Sequence, residues 1–86
     1  MNSGKPLETR VIDEIRRHLQ APAQPVHAHT RLMDDLGADS LALAELTLVL
    51  EETFDIDISD EEADTIRTVR DAVASVEKNL RAKRRE

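Results

Sequence analysis

The sequence predicts an all-α fold: a small four-helix bundle with three main helices, one short helix and a long loop between the first and second helices. Three observations carry this reading. Apolar residues recur at helical spacing in three separate stretches, closing near Leu19, Phe54 and Leu80. Side chains suited to capping a helix stand ahead of each of the last three predicted helices. Aromatics are nearly absent, with Phe54 the one aromatic among 86 residues. The core must therefore be built from Leu, Ile, Val and Ala, a composition that suits packed helices better than sheets.

A chain of this length holds one domain. It divides into an N-terminal tail over residues 1–6, the domain over 7–83 and a basic C-terminal end over 84–86. The first helix begins at Leu7, after Pro6, whose missing N–H is not needed in a first turn. Its stripe is Leu7, Val11, Ile12, Ile15 and Leu19. Pro22 and Pro25 then break any helix. The long connection that follows carries Val26, Leu32, Met33 and Leu36 as apolar anchors. Gly37 supplies a turn and Asp39 an N-cap, so the second helix runs from Ser40 to about Phe54. On a helical wheel Leu43, Leu46, Thr47, Leu50 and Phe54 form its core side. Leu41, Glu45, Leu48 and Glu52 form the opposite, solvent side. Ile56 and Ile58 pin a loop into the core. Ser59 with Glu62, and Thr68 with Asp71, have capping-box spacing. They predict a short third helix over about 60–65 and a fourth from about Val69, with Val69, Ala72, Val73, Val76 and Leu80 on one face.

The net charge is −6, and its distribution is uneven. Between Leu32 and Ile66 there are twelve of the eighteen acids and none of the twelve Lys and Arg residues. An acidic surface of this kind repels nucleic acid and attracts basic protein surfaces. The chain has no cysteine, so it has no disulfide and no thiol chemistry of its own. No segment reads as a signal peptide or a membrane span. A soluble, cytoplasmic monomer is the expectation.

The informative segment is Asp35-Leu36-Gly37-Ala38-Asp39-Ser40-Leu41. Ser40 stands as the first residue of a helix, just after a glycine turn. A group on its hydroxyl would sit among unpaired backbone N–H groups, a favourable place for a phosphate. Local physics permits a phosphodiester at Ser40 and does not require one, because a serine beside an N-cap is common.

This segment resembles the prosthetic-group site of acyl carrier proteins, in which Asp-Ser-Leu follows a Leu-Gly-Ala turn. The resemblance extends through Glu45-Leu46 and Leu50-Glu51-Glu52-Thr53-Phe54, then Ile58-Ser59-Asp60-Glu61-Glu62-Ala63-Asp64, to Ile66 and Val69. Spacings match without gaps from about Leu32 to Val76. The resemblance implies an acyl-carrier bundle in which Ser40 bears 4′-phosphopantetheine, delivered from coenzyme A by a phosphopantetheinyl transferase. The reactive sulfur then belongs to the cofactor, which accounts for a carrier without cysteine. Asp39 matches the acid that precedes the serine, with a place in cofactor attachment. Glu45, Glu51 and Glu52 match acids that face partner enzymes, and Leu41 and Leu48 match exposed apolar contacts. The implied partners are acyl-loading, elongating or transferring enzymes with basic docking surfaces, in fatty-acid, polyketide or specialised lipid pathways. The implied protein is a carrier and not an enzyme. An aminoacyl or small-acid cargo, or an unmodified acidic adaptor of the same fold, are the alternatives.

The sequence also departs from the family pattern. Ala42 replaces an acid usual in fatty-acid-synthesis carriers. Leu43 and Ala44 replace a small polar and a valine-like residue, Leu32 an aromatic, and Ser59 a proline. The basic run from Arg81 to Arg85 is atypical. These departures suggest a dedicated-pathway carrier. The resemblance implies that a fatty chain would fold back between the second and fourth helices, against residues such as Leu46, Leu50, Ile66 and Val73, whereas a small acyl or aminoacyl group would need no cleft. No metal site is expected: His27 and His29 have no supporting ligands, and Asp55, Asp57 and Asp60 lack an EF-hand's glycine and terminal glutamate.

Overall fold

The computed structural model describes residues 6–19 and 25–84. Residues 1–5 of the expected tail, most of the proline-bearing break and the last two residues of the basic end lie outside them. The order is α1 (Leu7–Leu19), α2 (Ser40–Phe54), α3 (Asp60–Ala63) and α4 (Val69–Arg84). All four helices predicted from the sequence are present, and α1, α2 and α4 pack against one another. No helix among the described residues is long and apolar enough to cross a membrane.

The helices begin where their capping chemistry sits. The N–H of Arg10 donates to the carbonyl of Pro6 at 3.1 Å, so α1 starts directly behind the proline. Asp39 accepts the N–H of Ala42 at 2.8 Å. Ser59 accepts the N–H of Glu62 at 3.2 Å. At α4 the box is reciprocal: Asp71 Oδ2 accepts the N–H groups of Arg67 and Thr68, and Thr68 Oγ1 accepts that of Asp71. α3 is shorter than predicted. After Ala63 the chain tightens into i→i+3 bonds, with the N–H of Thr65 on the carbonyl of Glu62 and that of Ile66 on Ala63.

One core forms where the stripes meet. Val11 and Ile15 of α1, Leu46, Leu50 and Phe54 of α2, and Val69, Ala72 and Val76 of α4 are buried in it. Leu32, Ile56, Ile58 and Ile66 reach it from the connections. Arg10 stacks its guanidinium over the Phe54 ring, 4.6 Å from the centroid. Two expectations are corrected. Met33 is no anchor but is 47% exposed, because Leu32 beside it takes the inward position at 0%. Leu43 and Thr47 are half-buried at the margin of the core. α1 and α4 cover the Leu46–Leu50–Phe54 edge of α2, while the single turn of α3 leaves the other edge open.

α4 is tied back to α3 by Glu62. Its carboxylate accepts from Asn79 Nδ2 at 2.9 Å and pairs with Lys78 Nζ at 3.0 Å. The Asn79 hydrogen bond, with Lys78 behind it, holds this carboxyl below the usual carboxylate range. A folded-state pKa below the unfolded one adds stability above the unfolded value, and that stability is lost as pH falls through the folded value. Glu62→Gln should therefore be less stable than wild type at neutral pH. The gap should close as pH drops below about 4, in urea melts run across that range. Leu50→Ala should cost about 2–5 kcal/mol, since the leucine is fully buried between helices. Equal unfolding midpoints for this variant and wild type would refute the assigned core face.

Candidate functional site

The site is assembled around the start of α2. Gly37 adopts φ 74°, a left-handed conformation that a β-carbon would strain, and this turn brings the chain round to α2. Asp39 follows in extended conformation and caps α2 through the N–H of Ala42. The carbonyl of Asp39 accepts the N–H of Leu43 at 3.0 Å. The N–H groups of Ser40 and Leu41 have no hydrogen-bond acceptor among the described residues. Ser40 is exposed, and its hydroxyl stands at the positive end of a fifteen-residue helix. These features fit a phosphodiester on Ser40: an accessible oxygen, free amides and a favourable dipole.

Ser40 lies on the rim of a cleft of about 990 Å³. Leu43, Ala44, Thr47 and Leu48 of α2 form one wall, and Ile58, Ala63 and Ile66 the other. Met33 and Asp34 border it from the long loop, and Arg31, Arg67 and Thr68 complete its edge. The cleft therefore opens between α2, α3 and that loop. This is not the cleft predicted between α2 and α4. α2 and α4 pack directly, Leu46 and Leu50 lie in the core, and Val73 packs against it. Of the four residues predicted to line a cleft, Ile66 alone does so.

The remaining predicted residues separate into two kinds. Leu41 and Leu48 are 68% and 60% exposed, and Glu45 and Glu52 are exposed beside them. Glu51 differs: it is half-buried, and its carboxylate accepts the N–H of Ile58 at 2.8 Å. It bridges the end of α2 to the loop that follows and also borders the cleft. Met33, which the sequence assigned to the core, joins Leu41 and Leu48 as the third large exposed apolar side chain among the described residues. Leu32 beside it takes the inward position, and no periodicity in this turn marks which of the two does.

The site's relatives are consistent in kind. Residues 9–76 match the family model described as the phosphopantetheine attachment site. An acyl carrier protein from Syntrophobacter fumaroxidans is 40% identical over 76 residues, 88% of this chain and 94% of that one. Another from Helicobacter hepaticus is 49% identical over 61 residues, 71% of this chain and 80% of that one. Among solved structures, a Mycobacterium tuberculosis protein described as an acyl carrier superposes with a TM-score of 0.80 at 40% identity, covering 85% of this chain and 97% of that one. The holo acyl carrier protein of Geobacter metallireducens, at 22% identity and a TM-score of 0.81, shares the fold. With its matched attachment domain, its close relatives and its helical architecture together, the chain belongs to the acyl carrier protein family, and its cofactor is 4′-phosphopantetheine.

Proposed function

We propose that Oγ of Ser40 is the point at which the 4′-phosphopantetheine arm is attached, and that the chain delivers acyl groups on it to partner enzymes. The observation that carries this is the position of Ser40: exposed, at an open helix N-terminus, on the rim of an apolar cleft. When bound, the arm supplies the thiol that holds the cargo as a thioester. The protein's own residues do the rest. Asp39 fixes the first turn of α2 and so the direction of the serine hydroxyl. The cleft offers an apolar chain shelter from water, worth about 0.8 kcal/mol per buried methylene.

Docking falls to the surface around the serine. Leu41 and Leu48 offer an apolar contact, with Glu45 and Glu52 as its charged border. Such a surface gives fast, salt-sensitive encounters with basic partner surfaces. That suits a carrier that must leave each enzyme it visits and performs no catalysis itself. Ala42, in place of the acid usual in fatty-acid-synthesis carriers, favours enzymes of a dedicated pathway.

Incubation with coenzyme A, Mg²⁺ and a broad-specificity phosphopantetheinyl transferase should add the mass of one arm to wild type and none to Ser40→Ala. A gain that persists in Ser40→Ala would place the arm elsewhere. Wild type that gains nothing with several transferases would favour an unmodified adaptor. Glu45→Lys and Glu52→Lys should each lower the transferase's kcat/KM, by up to roughly tenfold at low salt, with the loss shrinking as salt rises. Thermal midpoints should stay near wild type, since both residues face water. Unchanged kinetics at low salt would remove these acids from the docking surface.

A further inference from the structure

Arg31 and Arg67 stand at opposite ends of the base-free acidic stretch, yet the fold makes them neighbours. The backbone over 28–32 runs antiparallel to that over 67–70. The N–H of Leu32 donates to the carbonyl of Arg67 at 2.9 Å, that of Val69 to Thr30 at 3.0 Å and that of Arg70 to Ala28 at 2.8 Å. A bridge joins Arg31 and Thr68. The pairing sets His27, His29, Arg31, Arg67 and Arg70 at adjoining backbone positions, and all five are exposed.

Their charges are not equally available. Arg31 is held by Asp35 at 3.0 Å and Asp34 at 3.6 Å. Asp71 sits beside the group with its carboxylate on the N–H groups of Arg67 and Thr68. The guanidinium groups of Arg67 and Arg70 make no ion pair among the described residues. Arg67 also borders the cleft that Ser40 and Leu48 border. The free charge of Arg67 thus lies across the cleft from the acidic helix, and Arg70 follows three residues on in the same paired segment.

We propose that Arg67 and Arg70 form a second docking contact, which takes an acidic patch on a partner enzyme while α2 meets a basic one. This rests on the carrier reading of the Ser40 face. The occupant is a protein surface because only a surface of mixed sign satisfies both halves. A long nucleic acid or an anionic membrane would run past the patch onto Asp34, Asp60 and Asp64 around the same cleft, whereas a short acidic segment of a protein would not. Two contacts of opposite sign also fix the rotation of the carrier about the serine, which a surface of one sign does not. They also reject a uniformly basic enzyme by like-charge contact.

The test is a low-salt ¹⁵N NMR titration of the full chain with a short oligoglutamate peptide and, separately, an oligolysine peptide. Oligoglutamate should shift amides over 28–31 and 67–70. Its affinity should fall roughly tenfold in the double variant Arg67→Glu, Arg70→Glu and stay unchanged in Arg84→Glu. Oligolysine should shift α2 in all three proteins. If the double reversal does not fold, Arg67→Gln with Arg70→Gln should weaken oligoglutamate about threefold. Shifts centred on the C-terminal turn of α4, or equal affinity in the double variant, would overturn the proposal. So would phosphatidylglycerol vesicles that bind the patch where the peptide does not. Intact mass of the same samples after transferase treatment reads the carrier reading separately. Arm uptake with no patch-dependent binding fails this proposal alone, and patch-dependent binding with no arm uptake fails the carrier reading alone.

Discussion

The few backbone hydrogen bonds between residues 28–32 and 67–70 hold the Ser40 end of the molecule in place. Each is worth about 1 kcal/mol net, so the pairing is modest by itself. Its strength comes from what it buries: Leu32 and Val69, one on each side, are both fully enclosed. Once Leu32 is fixed, the N–H of Ala38 closes on its carbonyl at 3.0 Å, and Gly37 turns the chain toward Asp39. α2 can then start in only one place. The same contact sets the start of α4, because the Thr68–Asp71 capping box overlaps the paired segment. Two helix N-termini and one rim of the cleft thus share a single anchor.

The opposite rim depends on a short helix. α3 has one turn and no fully buried residue of its own. A longer helix with an apolar stripe would have packed down on Leu43 and Thr47 and filled the space. Instead, the connection from Asp55 to Ser59 is pulled against the core by Ile56 and Ile58, and Glu51 holds the N–H of Ile58. An acid read from the sequence as a docking residue is thereby engaged in shaping the cleft. Glu45 and Glu52, on the same helix, remain free toward water.

Much of the fold was legible because helix stripes are periodic and caps are local. The stripe of α1, the Asp39 cap and the Thr68–Asp71 box all stand where spacing put them. Ser40 was legible as a permissive site from its place after the Gly37 turn, and as a specific candidate from the residues downstream. What could not be read was which flank of each stripe would be covered. Leu43 and Leu46 look alike on a wheel; the neighbours that bury one and leave the other at a cleft are distant in sequence. The Arg31–Thr68 bridge is a single contact with no periodicity, so nothing in either segment announces it. The cleft differs from the expected one for the same reason: Leu46 and Leu50 lie in the core and Val73 packs against it, while Leu43 and Thr47 line the open space.

The basic end of α4 finds a partial explanation at the far end of α2. There Asp55 closes the helix in the left-handed conformation, φ 56°, which costs most residues about 1–2 kcal/mol and Asp somewhat less. Lys83 reaches across from α4, donating to the Asp55 carbonyl at 2.8 Å and pairing with its carboxylate. The ammonium also lowers the Asp55 carboxyl below its ordinary range and meets the negative end of the α2 dipole. α2 spans about 20 Å at helical rise, well beyond the screening length of about 8 Å at physiological salt. The cationic end therefore supports the helix without weakening the acidic field around Ser40. Arg67, by contrast, borders the cleft itself, with Arg70 three residues on, where positive charge enters the docking surface.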